Sequence, residues 1–158
     1  MSDLIQAIRD GNLSTVQTLL DQGASANTAD EEGSTGLILA AEAGQNEIVQ
    51  ALITAGADVN GIDNDGWTAL MGAASVGNLA AVELFLEKGA TINAKTNFGV
   101  TALMSAAAKG HLSVVQHLVE KGADIKLKDN NRWTALIWAA DNQQPAIVAF
   151  LKQLAAVS

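Results

Sequence analysis

The 158-residue chain contains no cysteine, no tyrosine and only two histidines. Without cysteine it has no disulfide framework and no thiolate metal site, which agrees with a reducing compartment. Pairs of a nucleophile and a base are scarce in such a composition, so we expect no catalytic activity. The two imidazoles, His111 and His117, have no matched carboxylate cluster. We therefore expect neither a metal site nor a cofactor.

Long hydrophobic runs are also missing. No stretch approaches the roughly 18 consecutive apolar residues that a membrane-spanning helix needs. The first residues, MSDLIQAIRDGN, carry Asp3 and Arg9 inside a short apolar pattern and lack the uninterrupted apolar stretch of a secretory signal. No GxxxxGK string follows a strand to bind phosphate. We expect a soluble, cytoplasmic protein that does not bind membranes.

Aromatic residues are rare, at 4% of the chain, although 49% of the residues are hydrophobic and alanine is abundant. Small core residues predict closely packed helices. The net charge of −8 disfavours nucleic acid as a partner, because phosphate binding needs a basic surface.

The charge is unevenly distributed along the chain. Residues 1–79 hold eleven acidic residues and one basic residue, a net charge of −10. Residues 80–158 hold six acidic and eight basic residues, a net charge of +2. A molecule with such a gradient is electrically polar along its length, and its field orients a charged partner.

Several residues recur at a fixed step of 33 residues. They include the threonines Thr35, Thr68, Thr101 and Thr134, the leucines Leu37, Leu70, Leu103 and Leu136, and the glycines Gly56, Gly89 and Gly122. This period predicts a stack of short units that share one elongated core, since each unit is too small to bury its own apolar face. The units span 30–62, 63–95, 96–128 and 129–158, after a shortened first unit at 1–29.

Each unit predicts a helix, a turn, a second helix and a projecting hairpin. In the unit 63–95, Thr68 precedes a helical run as an N-cap, and Gly77 supplies the backbone conformation that ends that helix. The two terminal units depart from the pattern, as end caps should. In the last unit Gln143 replaces the helix-ending glycine, and Pro145 occupies the first turn of a helix.

The string DNDGWTALMGAASVGNLAAVELFLEKGATINAK resembles the ankyrin repeat, and the likeness covers essentially all of the chain as five units. The resemblance implies an all-α solenoid of stacked helix-turn-helix units with projecting β-hairpin loops. One departure is systematic, because the Thr-Pro-Leu-His string of the family appears here as TGLI, TALM, TALM and TALI. We expect packing to replace the hydrogen bond of the missing histidine. At His111, where the family commonly has histidine, we expect a structural role.

Ankyrin repeats generally bind partners through the hairpin tips and the adjoining face of the first helices, the concave side of the stack. Mapping that face onto this chain predicts ten partner-binding residues: Glu31, Glu32, Glu42, Asp65, Trp67, Phe98, Val100, Lys109, Trp133 and Trp138. All three tryptophans are among them, and tryptophan is a favoured interface anchor. Two alternatives remain open. Trp67 and Trp133 could instead cover the seam between units, and Trp138 could pack against the exposed end of the stack.

These observations predict a non-catalytic protein–protein interaction module. Its acidic half attracts a basic patch on a protein partner, and we expect a monomer when no partner is bound. One alternative is an inhibitor or antitoxin that blocks a basic active site by acidic mimicry. Another is a stabilising subunit of a larger enzyme.

Overall fold

The computed structural model describes residues 2–157, which form ten helices in five consecutive pairs. None of these helices is long and apolar enough to cross a membrane. Their bounds are α1 Asp3–Arg9, α2 Leu13–Asp21, α3 Gly36–Glu42, α4 Asn46–Thr54, α5 Ala69–Ser75, α6 Leu79–Glu87, α7 Ala102–Lys109, α8 Leu112–Glu120, α9 Ala135–Asp141 and α10 Pro145–Val157.

The predicted helix boundaries are confirmed. The hydroxyl of Thr35 accepts a hydrogen bond from the backbone N–H of Ile38 at 3.2 Å, and the other three threonines cap α5, α7 and α9 in the same way. A cap of this kind stabilises a helix by about 1 kcal/mol. After α5, Gly77 has a φ of +72°, the left-handed conformation that ends the helix.

The helices pack in two rows. The first helices α1, α3, α5, α7 and α9 each contact the next, and the second helices do the same alongside them. The first-helix row meets at alanines, of which Ala40, Ala73 and Ala106 are fully buried. Because alanine side chains are small, these helices approach closely, as predicted. The second helices contribute larger side chains, with Phe85 in α6 at the centre of the core.

Three of the four residues that replace the histidine of the family pattern are packed in the core, as expected. Ile38, Met71 and Met104 are fully buried. The sulfur of Met104 also accepts a hydrogen bond from the backbone N–H of Thr101 at 3.4 Å. In the last unit the equivalent residue, Ile137, is 40% exposed.

Arg132 adopts a backbone conformation that the other units give to glycine. Its φ is +66°, while Gly33, Gly66 and Gly99 have φ between +78° and +83° at the same position of their units. A side chain in this region costs about 1–2 kcal/mol. Glycine in turn stabilises the unfolded chain by about 0.5–1 kcal/mol.

We expect Arg132→Gly to raise the free energy of unfolding by about 0.5–1 kcal/mol, because relief of strain exceeds the entropy loss. Urea unfolding measures this. Lys128→Gly is the matched control, since Lys128 is exposed and has no positive φ. It should destabilise the protein. Equal destabilisation by both changes would contradict the assignment of strain to Arg132.

Candidate functional site

Each projecting tip is closed by its first residue. The Oδ1 atom of Asp63 accepts hydrogen bonds from the backbone N–H groups of Asp65 and Trp67, both at 2.9 Å. The equivalent residues Asp30, Thr96 and Asp129 bind their own tips in the same pattern. Isolated antiparallel bridges pair Ala29 with Thr35 and Ile62 with Thr68. The predicted hairpin tips are therefore present.

A ladder of asparagines joins successive tips. The backbone N–H of Asn97 donates to the carbonyl of Asp65 at 2.8 Å, and that of Asn130 donates to the carbonyl of Phe98 at 2.9 Å. The side-chain amide of Asn97 also donates to the carbonyl of Asn64 at 3.0 Å. The tips are thus fixed relative to one another, so the side chains of Asp65 and Phe98 project from a rigid backbone.

The end of one first helix contacts the tip of the next unit. Arg9, at the end of α1, forms a salt bridge with Asp30 at 2.7 Å. Glu42 and Asp63 occupy the same two positions one repeat later, again 21 residues apart. The site therefore consists of tip residues together with the ends of the first helices, and we call it the first-helix face.

Glu42 lies against the next first helix at Gly72. A Cβ atom at Gly72 would come within 2.8 Å of the Glu42 Cγ atom, so only glycine leaves room for this arrangement. Partial burial raises the pKa of Glu42 above its usual 4.5, and the negative charge of Asp63 raises it further. Within residues 2–157 the structure shows no salt bridge to either carboxylate. Arg9 and Asp30 have opposite charges, whereas Glu42 and Asp63 are both negatively charged.

Apolar side chains accompany this carboxylate pair on the first-helix face. Phe98 is 57% exposed at the tip of the following unit, and Trp67 is partly buried against the core beside Asp63. Val76 is also exposed, directly after α5, at the repeat position of Lys109. Sequence reasoning missed Val76. Its signal was a β-branched apolar residue where the other four units carry aspartate, alanine, lysine or asparagine.

Trp133 and Trp138 contact each other rather than standing apart. Their ring centroids are 5.1 Å apart with an interplanar angle of 68°, an edge-to-face pair. The indole N–H of Trp138 donates to Oδ2 of Asp129 at 3.0 Å. Gly72 stands at the position of Trp138 two units earlier, so Trp67 has no such ring beside it. These contacts support the packing alternative for Trp138, and its role as a partner anchor stays a prediction.

The remaining predicted residues lie at the tips and helix ends. Glu31, Glu32, Asp65 and Lys109 are exposed, and Val100 is partly buried against the core. The structure describes no group of three or more potential metal ligands in residues 2–157.

His111 links two units. Its Nε2 atom lies 3.0 Å from the carbonyl oxygen of Ser75, and since a carbonyl only accepts, Nε2 carries the hydrogen. The glycine at position 77 leaves room for the ring, because a Cβ there would lie 2.5 Å from Nδ1. The contact gives His111 a structural role, as expected.

Comparison with known proteins agrees with this architecture. A family model of ankyrin repeats, in three copies, matches residues 4–96 and again residues 92–157. A comparison with curated proteins gave no match. The paired helices, the threonine caps and the hydrogen-bonded tips are thus those of a known repeat, and the chain belongs to the ankyrin-repeat family.

Proposed function

We propose that the chain is a non-catalytic protein-binding module whose first-helix face binds a basic group of a partner between Glu42 and Asp63. Ankyrin repeats are generally protein–protein interaction modules. One observation carries the proposal. At the first repeat position Arg9 neutralises Asp30, whereas one repeat later Glu42 stands at the position of Arg9, the negative charge of Asp63 raises its pKa, and neither carboxylate has a salt bridge in the described residues. A partner's cation fills the role that Arg9 has within the chain.

Electrostatics favour such a contact. Two carboxylates held close together repel, and a guanidinium or ammonium group between them relieves that repulsion. An arginine suits this geometry because its planar fork donates to both acceptors. The surrounding acidic residues Glu31, Glu32 and Asp65 add a long-range field that speeds association.

Apolar contacts supply the rest of the surface. Phe98 and Val76 are exposed beside the tips, and burying them against a partner removes apolar area from water. The tips are fixed by hydrogen bonds between units, so binding orders little additional chain. A basic residue flanked by apolar side chains is therefore the partner segment that this face fits.

The free protein should show the cost of keeping Glu42 partly buried and close to the negative charge of Asp63. Because the folded pKa of Glu42 is raised, the native state holds more protons than the unfolded state as pH rises from the unfolded to the folded pKa. Stability is therefore lost across that window and stays reduced at neutral pH. We expect Glu42→Gln to raise the free energy of unfolding by a few tenths of a kcal/mol near pH 7, because solvent screens this exposed group.

The gain should vanish near pH 3, where glutamate is protonated in both states. Urea unfolding at the two pH values measures it. Glu47→Gln is the matched control, since Glu47 is an exposed acid in α4. An equal or larger gain from the control would contradict the unfavourable burial and repulsion assigned to the Glu42 carboxylate.

A peptide selection tests the binding role. A library of random peptides displayed on phage is selected against the wild-type protein, and the enriched peptides are sequenced. We expect arginine or lysine beside aromatic or aliphatic residues. Glu42→Arg recreates the internal salt bridge at Asp63 and should weaken these peptides about tenfold or more, while Glu47→Arg should change their affinity much less.

Two results would overturn the proposal. One is enrichment of peptides without basic residues, and the other is an undiminished affinity for Glu42→Arg. Salt gives a separate check, because acidic steering predicts an association rate that falls as ionic strength rises.

A further inference from the structure

The first-helix face changes its chemistry from one unit to the next. The salt bridge of Arg9 with Asp30 shows that the end of a first helix lies beside the tip of the following unit. The 33-residue step gives the later first helices the same neighbours. We call a helix end, together with the tip beside it, a level of the face.

Three consecutive levels carry two acids, then two apolar residues, then two bases. The pairs, with the helix-end residue first and the tip residue second, are Glu42 with Asp65, Val76 with Phe98, and Lys109 with Arg132. All six side chains are exposed, and within residues 2–157 none of the four charged ones forms a salt bridge. We call these pairs the acidic level, the apolar level and the basic level. The face therefore presents three different contacts in a fixed order.

The levels are spaced by the packing of the first helices. Helix α3 contacts α5, and α5 contacts α7. The axes of packed helices lie about 8–10 Å apart. The tips follow the same step, because the backbone N–H of Asn97 donates to the carbonyl of Asp65, and that of Asn130 donates to the carbonyl of Phe98. A ligand that contacts all three levels thus needs side chains on one side at intervals of about 8–10 Å.

An extended chain meets this spacing in one conformation. A polyproline II helix has three residues per turn and rises about 3.1 Å per residue, so every third side chain returns to the same side after about 9 Å. A β-strand returns a side chain to the same face after two residues, or about 7 Å, which is too short for the levels. The levels therefore fit side chains at every third position of a polyproline II segment.

We propose that the first-helix face binds a polyproline II segment of a partner protein that carries a basic, an apolar and an acidic side chain at successive third positions. This inference rests on the proposed function, which supplies the basic residue, and it adds the other two residues and their spacing. The basic side chain contacts the acidic level. The apolar side chain covers Val76 and Phe98, and the acidic side chain contacts Lys109 and Arg132.

The basic level also excludes a class of partner. A segment with basic residues at both ends would place one of them against Lys109 and Arg132, where like charges repel. The net charge of −8 alone would favour such a polybasic segment. The order of the levels instead favours a segment with opposite charges on either side of an apolar residue.

The peptides selected from the random library test this order. We expect them to carry an acidic residue about six positions from the basic residue, with an apolar residue midway. Isothermal titration calorimetry then compares one such peptide with a copy in which lysine replaces the acidic residue. The wild-type protein should bind the lysine copy about fivefold or more weakly. Lys109→Glu should reverse this preference, because it exchanges the charge that faces the replaced residue.

Lys121→Glu is the matched control, since Lys121 is exposed at the end of α8, in the row of second helices. It should leave the preference for the original peptide unchanged. Arg132→Gly serves as a second variant of the basic level. It should weaken the original peptide although it is expected to raise the free energy of unfolding, so the weaker binding would not come from loss of the fold. Circular dichroism verifies that each variant folds.

Three results would overturn this inference. They are selected peptides without an acidic residue at that distance, equal or tighter binding of the lysine copy by the wild-type protein, and an unchanged preference in both Lys109→Glu and Arg132→Gly. The proposed function would still stand in each case if Glu42→Arg weakens the basic peptides. It would fail together with this inference if Glu42→Arg leaves their affinity undiminished.

Discussion

Phe85→Ala is expected to lower the free energy of unfolding by about 3–5 kcal/mol. Phe85 lies in α6 and is 0% exposed, in the third of five units, so the core surrounds it on both sides. Removing its ring loses the transfer free energy of the side chain and leaves a cavity that the neighbouring units do not fill. Urea unfolding monitored by far-ultraviolet circular dichroism measures the change.

Phe98→Ala is the matched control, because it makes the same chemical change at a side chain that is 57% exposed. We expect its effect on stability to stay within about 0.5 kcal/mol. The same substitution should weaken the selected peptides, since Phe98 belongs to the first-helix face. A loss below about 1 kcal/mol for Phe85→Ala, or equal losses for both variants, would contradict the division between core and face.

The second large effect concerns Asp129, which is only 7% exposed. Its carboxylate accepts hydrogen bonds from the backbone N–H groups of Asn131 and Trp133 and from the indole N–H of Trp138. Asp129→Ala removes the carboxylate that accepts all three hydrogen bonds and leaves partly buried donors unpaired. We expect a loss of about 2–3 kcal/mol, since hydrogen bonds to a charged group contribute about 1.5–3 kcal/mol each and part of the site is solvated.

Asp129→Thr distinguishes the contribution of the two hydrogen bonds within the tip from that of the hydrogen bond to Trp138. Thr96 closes its own tip with a hydroxyl, so threonine should restore the two backbone bonds but not the bond to Trp138. We expect it to recover about half of the loss. Near-ultraviolet circular dichroism follows the Trp133–Trp138 pair. The control is Asp65→Ala, at an exposed tip position, and a comparable loss there would contradict the role assigned to Asp129.

The sequence predicted the helices and tips well because local backbone rules determine them. Threonine before α3, α5, α7 and α9, and glycine after the first helices of the first four units, act within a few residues, and the 33-residue step repeats them. Even the exception is regular, since Gln143 takes a φ of +57° where Gly77 and Gly110 have positive values. The 33-residue step also predicted which side chains lie in the core.

Contacts between units were not predicted. The salt bridge of Arg9 with Asp30 joins residues 21 apart, a spacing that no local rule marks. Once that contact is known, the 33-residue step identifies Glu42 and Asp63 as the equivalent pair in the next unit. Both of these residues are negatively charged, whereas Arg9 and Asp30 have opposite charges. The bond from Trp138 to Asp129 lies within the last unit, and it was not predicted either. Exposure at Ile137 depends on which unit follows in space, and the repeat pattern alone does not show it.

The carboxylate pair also links stability with function. Glu42→Gln should stabilise the free protein slightly and weaken its binding to a basic peptide, as expected where a site keeps an unfavourable interaction that a partner relieves. If Glu42 served only for solubility, Glu42→Gln would stabilise the free protein without weakening its binding to the peptide.

The most direct test of the central claim is an amide chemical-shift map of the ¹⁵N-labelled protein titrated with a selected basic peptide. We predict that the largest changes fall at the tips and first-helix ends, at Glu42, Asp63, Asp65, Trp67, Val76 and Phe98. We also predict that they disappear in Glu42→Arg. Largest changes along the second helices α4, α6 and α8, or a map that Glu42→Arg leaves unaltered, would contradict binding at the first-helix face.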